Sequence, residues 1–263
     1  MLSIKNRPLF PAWVPQVESG ARILIVGSSG GIGQALINLL LKGAPCVMGA
    51  HRSRCKKISQ PSAQDQHIII DLQFTLKSEE HCHGLVNRFI EEANGIDALV
   101  VLCGGISRSC HWKDLSQEEW NDDIHLNLSI PFFIARKSMK HMKEKGGRII
   151  LMGTESSLHG GSQDSLAYGV AKYGVECLIK GLAREGASYN ILVNGIRPGF
   201  IKSGFHERWQ NKTEKDLKKR AEMIPLQRGG YPEEIAAFIV YLLSGWSQFI
   251  TGQMFAITGG DWL

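Results

Sequence analysis

The 263-residue sequence contains no CxxC pair, and its six cysteines are too few for a disulfide scaffold. A reduced, cytoplasmic setting is therefore expected. No apolar run reaches the roughly 18 residues that a bilayer span requires, so no membrane partner is expected. The opening stretch, Met1 to Gly20, carries Pro8, Pro11 and Pro15 and lacks the continuous apolar segment of a secretory signal. It reads as an extended N-terminal arm over 1–20, ahead of one domain over 21–263. Charge of one sign is also scarce: 30 Lys and Arg against 25 Asp and Glu leave +5. That excess is too weak to point to nucleic acid, but it suits an anionic small ligand. With 43% hydrophobic and 21% charged residues, disordered and fibrous classes are excluded. There is no internal repeat and no low-complexity linker.

What is present is an alternation of two periodicities. Short apolar runs at Arg22–Val26, Cys46–Ala50, His67–Ile70, Ala98–Leu102, Arg148–Met152, Ile191–Ile196 and Gln253–Ile257 read as strands. Helical patterns at Ile32–Leu41, Ser78–Ala93, Gln117–Lys145, Ser165–Ser188 and Glu233–Ser244 lie between most of them. Strands alternating with helices imply right-handed βαβ crossovers, hence a doubly wound α/β sandwich with about seven parallel strands and helices on both faces. The polar stretch 202–220 falls where a substrate lid would sit.

The first strand runs straight into GSSGGIG, which places Gly27, Gly31 and Gly33 at a strand–turn–helix junction. Such a turn aims backbone N–H groups at a phosphate and leaves no Cβ in its way. The ribose-reading position at the end of the second strand carries His51-Arg52-Ser53-Arg54 and no acid. Arg52 can pair with a 2′-phosphate and Ser53 can donate to it, so NADP(H) is expected over NAD(H). Asp71, expected to close the third strand, is placed to bond the adenine amino group.

Tyr168 and Lys172 stand in YGVAK, one helical turn apart and on one face. An ammonium beside a phenol of pKa about 10 favours the phenolate, which makes Tyr168 a candidate general acid–base near neutral pH. With the glycine turn and YGVAK, the Asn of HLNLSIPFF, RPGFIKS and the C-terminal PLQRGGYPEEIAAFIVYLLS…ITGQMFAITGG complete a set of five motifs in order. The chain from Arg22 onward thereby resembles the short-chain dehydrogenase/reductase family, most nearly its 3-oxoacyl-carrier-protein reductase and glucose dehydrogenase branch.

The resemblance implies a single-domain Rossmann-type fold and an oxidoreductase that moves hydride between a nicotinamide and a carbonyl or alcohol. It implies that Tyr168 exchanges the substrate proton, that Lys172 lowers its pKa and binds the ribose, and that Asn127 bends its helix and holds a water linked to Lys172. Thr154 is the expected hydroxyl at the substrate oxygen, with Ser156 as its rival. Counting back from Tyr168 points to Glu155 instead, which marks one inserted residue. Cofactor contacts are expected from Gly27, Ser29, Gly31, Ile32 and Gly33, and from Arg52, Ser53, Asp71, Leu72 and Gly104. They are also expected from Tyr168, Lys172, Pro198, Gly199 and Ile201. A homo-oligomer, dimer or tetramer, is implied as well.

The chain departs from the family pattern at three places. Val26 stands where a Thr is usual, Leu102-Cys103-Gly104-Gly105 replaces an NNAG segment, and Gly30 replaces a basic residue common in NADP enzymes. These changes motivate a second reading, a dinucleotide-binding sensor that has lost efficient chemistry. Substrate loops are expected near Gly105–Trp112, Thr154–Leu166 and Lys202–Arg220. His81-Cys82-His83 is read as helix surface rather than a metal site, because neighbours two apart diverge on a helix. Arg136, Lys140 and Lys143 are read as a solvated stripe, with an acidic carrier protein as the other reading.

Overall fold

The computed structural model describes residues 15–53, 66–210 and 212–261. Most of the expected arm, Arg54, Asn211 and the last two residues lie outside the described residues. The end of the arm is part of the domain: Val17 is buried against the core, and the Gly20 N–H donates to the Pro45 carbonyl at 2.7 Å.

Seven strands form one parallel sheet: β1 (Arg22–Val26), β2 (Val47–Arg52), β3 (Ile68–Gln73), β4 (Ala98–Val101), β5 (Gly147–Met152), β6 (Ile191–Pro198) and β7 (Met254–Ile257). Their order is β3-β2-β1-β4-β5-β6-β7. Every paired register is parallel, as crossover helices require. The helices are α1 (Gly31–Leu40), α2 (Glu79–Ala93), α3 (Gln117–Ile124), α4 (Ile130–Met142), α5 (Leu166–Gly186), α6 (Phe205–Gln210), α7 (Glu214–Glu222) and α8 (Pro232–Leu243).

The central strands read as near-continuous apolar runs because both faces are covered. One face packs β1 residues Ile23 and Ile25 against α1 and α8, through Leu36, Leu40, Ile235 and Ile239. The other packs Leu24 and Val26 against α2, α4 and α5, through Leu85, Phe89, Ile134 and Val175. The alternation of Ile23, Leu24, Ile25 and Val26 between the two clusters is the period of two that a strand imposes.

Three elements differ from the sequence reading. The third strand runs on to Gln73, so Asp71 lies within it and does not close it. The long helix expected over Gln117–Lys145 is α3 and α4 joined by a π-helical turn, His125–Ser129, and it stops at Met142. The polar stretch 202–220 is not an open connection but contains α6 and most of α7. A capping box starts α7: the Asp216 N–H donates to Thr213 Oγ1, and Asp216 Oδ2 accepts from the Thr213 N–H at 3.0 Å.

Phe89 is fully buried where α2 meets the sheet. Phe89→Ala is expected to cost about 3–5 kcal/mol through lost burial and the cavity left behind. Urea unfolding monitored by circular dichroism measures this, and a loss below about 1 kcal/mol would mean that the α2 face is loosely packed.

Candidate active site

The strand order reverses between β1 and β4, and a crevice opens beyond their carboxyl ends. At Gly27 the chain turns with φ +88°, and a Cβ on Gly33 would lie 2.6 Å from the Gly27 carbonyl oxygen. Glycine is required at both positions. No side chain caps the start of α1, so its first N–H groups are available to an anion. The cradle therefore fits a pyrophosphate on its own geometry. His51 braces it from β2: its Nδ1 accepts from the Gly27 N–H at 3.3 Å, and its Nε2 lies 3.1 Å from the Phe74 carbonyl oxygen. Burial pushes His51 down to about 4, so the ring is neutral near neutral pH. Sequence reading missed this brace, because nothing local to His51 signals it.

Arg52 and Asp71, each expected to contact a different part of a dinucleotide, are bonded to each other. Arg52 Nε donates to Asp71 Oδ1 at 2.7 Å and Nη2 donates to Oδ2 at 2.8 Å. Arg52 is only 7% exposed. Register explains the pair: Ala50 faces Asp71 across the β2–β3 ladder, and Arg52 lies two residues on, on the same face. Ser53 is exposed just past β2, whereas Leu72 gives its side chain to the core.

Beyond β4, Gly104 is wedged between two polar side chains. A Cβ there would lie 2.9 Å from Asn127 Oδ1 and 3.1 Å from Lys172 Nζ. Asn127, fully buried on the π turn, accepts from the Gly105 N–H at 3.1 Å and donates Nδ2–H to the Gly105 and Asp123 carbonyls at 2.8 and 2.9 Å. Lys172, 3% exposed, donates to the Met152 carbonyl at 3.0 Å, and its Nζ lies 5.9 Å from the Tyr168 ring centre.

The protonation of this pair differs from the sequence reading. Burial pushes Tyr168 up to about 12; a hydrogen bond with Thr154 opposes the rise and the Asp123 charge adds to it. Burial likewise pushes Lys172 down to about 8, against a smaller opposing effect of Cys103. Loss of solvation dominates, so the phenol is a weaker acid than in water. Cys103 is itself pushed up to about 11 by burial and remains a thiol at neutral pH.

Thr154, Ser156, Tyr168 and Lys172 line one cleft of about 640 Å³. Ile32, Gly104, Pro198, Gly199 and Ile201 line it too. Asn127 stands behind the wall. Gly27, Ser29, Gly31, Gly33, Arg52, Ser53, Asp71 and Leu72 lie outside its lining, nearer the β1–β3 strand ends. Thr154 Oγ1 is 3.2 Å from Ser156 Oγ, and both hydroxyls share the cleft with Tyr168. Glu155 also lines the cleft, and its Oε2 accepts from Arg197 Nε at 3.1 Å.

The lid supplies aromatic contacts that sequence reading missed. The Phe205 ring centre lies 5.6 Å from that of Tyr168, and a Cβ on Gly105 would meet the Trp209 ring at 2.9 Å. Phe205 and Trp209 are one turn apart on α6, so one helix face covers both points. His206 lies between Phe200 and Phe205, with ring centres at 5.0 and 5.7 Å. The loop Gly105–Trp112, expected in the pocket wall, contributes nothing to it. Its backbone is tied elsewhere, the Ser107 N–H to Asp123 at 2.6 Å and the Trp112 N–H to the Gln163 carbonyl at 3.0 Å.

Among the described residues, no group of three or more His, Cys, Asp or Glu side chains is arranged to hold a metal ion. Among them, too, no helix is long and apolar enough to cross a membrane.

Comparison with known proteins agrees with this architecture. The family model described as enoyl-(acyl carrier protein) reductase matches residues 26–261. A 3-oxoacyl-[acyl-carrier-protein] reductase of Aquifex aeolicus is 31% identical over 243 residues, covering 90% of this chain and 95% of the relative. An acetoacetyl-CoA reductase of Allochromatium vinosum is 32% identical over 248 residues, covering 91% and 98%. A 3alpha-hydroxysteroid dehydrogenase of Mediterraneibacter gnavus is 28% identical over 241 residues, covering 90% and 94%. The solved structure of a short-chain dehydrogenase/reductase from Serratia marcescens shares the fold. Its TM-score is 0.77 at 22% identity, covering 92% of this chain and 98% of that one.

The depressed Lys172 predicts a pH signature in stability. Below about pH 8 the folded and unfolded chains both carry this proton; between about 8 and the ordinary 10.5 only the unfolded chain does. Stability contributed at this position therefore rises with pH across that window. Wild type minus Lys172→Met should gain about 2 kcal/mol between pH 8 and about 9.5, measured by urea unfolding. The difference cancels the titration of the buried thiols and of Tyr168. A flat difference would mean that Lys172 titrates as it does in water.

Proposed function

Because the chain belongs to the short-chain dehydrogenase/reductase family of oxidoreductases, we propose that it transfers hydride between NADP(H) and a carbonyl or alcohol substrate, with Tyr168 handling the proton. One observation carries the reading: Thr154, Tyr168 and Lys172 converge on a single cleft whose wall also includes Ile32 of the glycine turn. The nicotinamide supplies or takes up the hydride when bound. Gly27, Ser29, Gly31 and Gly33 would hold the pyrophosphate of the dinucleotide at the start of α1. Ile32, Gly104, Pro198, Gly199 and Ile201 would flank its nicotinamide half.

Tyr168, with a pKa of about 12, carries its proton at neutral pH and donates it to the substrate oxygen. That protonation state suits proton donation in the reduction of a carbonyl. Thr154 donates a hydrogen bond to the same oxygen as negative charge builds there, and Ser156 orients Thr154. Lys172, cationic below about pH 8, steadies the phenolate left behind and binds the ribose. Asn127 fixes the Gly105 backbone and leads the replacing proton inward.

Arg52 and Ser53 favour the 2′-phosphate, and Asp71, already neutralised by Arg52, does not repel it. Because Arg52 is shared with Asp71, preference for NADPH over NADH is modest, about tenfold or roughly 1.4 kcal/mol. The apolar wall of Met152, Phe200, Phe205 and Leu217 suits a carbonyl compound with an apolar body, such as a 3-oxoacyl chain. The chain is read as a cytoplasmic homo-oligomer, dimer or tetramer, which light scattering tests. A sensor without catalysis gains no support from relatives named as reductases and dehydrogenases.

Tyr168→Phe is expected to lower turnover about a thousandfold with NADPH affinity held within about twofold. NADPH absorbance against a ketone panel and fluorescence titration measure the two. Unchanged turnover would remove Tyr168 from the mechanism. Titrating NADH beside NADPH tests the cofactor preference, and tighter NADH binding overturns it.

A further inference from the structure

Arg197 joins two carboxylates in a partly buried ion network that none of the chemistry above uses. Its Nε donates to Glu155 Oε2 at 3.1 Å, and its Nη1 lies 3.3 Å from both Glu176 oxygens. All three side chains are at most 18% exposed. Glu155 is the residue that the count from Tyr168 placed in the hydroxyl position. It follows Thr154 directly and opens a short 3₁₀ turn, Glu155–His159. That turn is tied back to Thr154, whose carbonyl accepts from the Ser157 N–H at 3.1 Å and from Ser157 Oγ at 2.7 Å. Glu176 lies one turn beyond Lys172 and two beyond Tyr168, on the same face of α5. Arg197 lies in β6 and immediately precedes Pro198, its last residue, and Gly199 just beyond it.

We infer that Arg197 is a positioning residue that locks three walls of the cleft together: the Thr154–Ser156 turn, the face of α5 carrying Tyr168 and Lys172, and the β6 end. The planar guanidinium suits this task because it reaches two carboxylates along fixed directions. An ammonium offers one point charge and no fork. Without the guanidinium, Glu155 is left as a buried charge without its partner, and the turn that follows Thr154 is driven toward solvent. Thr154 then loses its set position relative to Tyr168, and catalysis suffers because alignment of the reacting groups is what the site supplies. The inference rests on the hydride-transfer reading for its catalytic consequence and on geometry alone for its structural one.

The test pairs two readouts on full-length protein. Arg197→Met is expected to lower kcat at least tenfold while the NADPH dissociation constant stays within twofold. Amide hydrogen exchange over residues 154–159 should quicken at least tenfold, with exchange in α2 unchanged. Arg197→Lys should recover part of both effects. Adding Glu155→Gln to Arg197→Met should recover more, because the stranded charge is then gone. Should Arg197→Met fail to fold, Glu155→Gln and Arg197→Lys alone carry the same comparison. Unchanged kcat and exchange, uniform loosening of every segment, or no recovery in the double variant would each overturn the inference. Absence of any turnover in wild type would instead overturn the reaction reading, and the exchange measurement would still decide the role of Arg197.

Discussion

The backbone at Gly104 and Gly105 is where the site is held together. Two buried side chains from different elements close on it: the amide of Asn127 from the π turn and the ammonium of Lys172 from α5. The same ammonium also donates to the Met152 carbonyl at the end of β5. Four pieces of chain are thereby fixed at one point, with no room for a methyl group between them. Such bonds are individually ordinary, but buried from water they are costly to break, because each partner left behind would be an unsatisfied polar group. The geometry of Tyr168 follows, since it shares a helix face with Lys172.

Burial also decides the charge state of the cleft. The phenol, the thiol of Cys103 and the ring of His51 are all held in their neutral forms by desolvation. Several charges around it come as partners: Arg52 with Asp71, Arg197 with Glu155 and Glu176, and Arg220 with Asp261, whereas Lys172 stands in the wall as a cation below about pH 8. In such a desolvated wall a new negative charge is expensive unless a donor or cation stands ready to meet it. In such a setting a preorganised donor at the developing oxyanion has its largest effect.

Much of this was legible in the sequence wherever the relevant physics is local. Short apolar runs located all seven strands to within about three residues, and a doubly wound sheet follows from their alternation with helices. The glycine turn and the Tyr168–Lys172 spacing were readable because a tight turn and an i, i+4 pair need only a few consecutive residues. What stayed hidden is non-local. The Arg52–Asp71 pair depends on the β2–β3 register, which no single segment encodes. The pKa of Tyr168 depends on how much chain surrounds it, and that sum reversed the sign expected from its neighbour Lys172. The contact of Phe205 with Tyr168 arises from α6, a helix of six residues that is too short to show a period. Glu155 looked like a misplaced hydroxyl position, and only its distance to Arg197 gives it a role.

The π turn at His125–Ser129 carries a consequence for how this helix can vary. A wider turn accommodates one residue more than regular α-helix would. Deleting a single residue there would let α3 and α4 run on as one unbroken rod, satisfying its backbone fully. Because the wide turn absorbs the extra residue, α3 and α4 would keep the same faces toward their neighbours. What would be lost is the seat of Asn127, whose side chain reaches the Gly105 backbone from that turn. The local irregularity thus serves a single side chain: the helix is slightly overfilled at one place, and the two amphipathic stretches on either side of it are left where regular helix would put them.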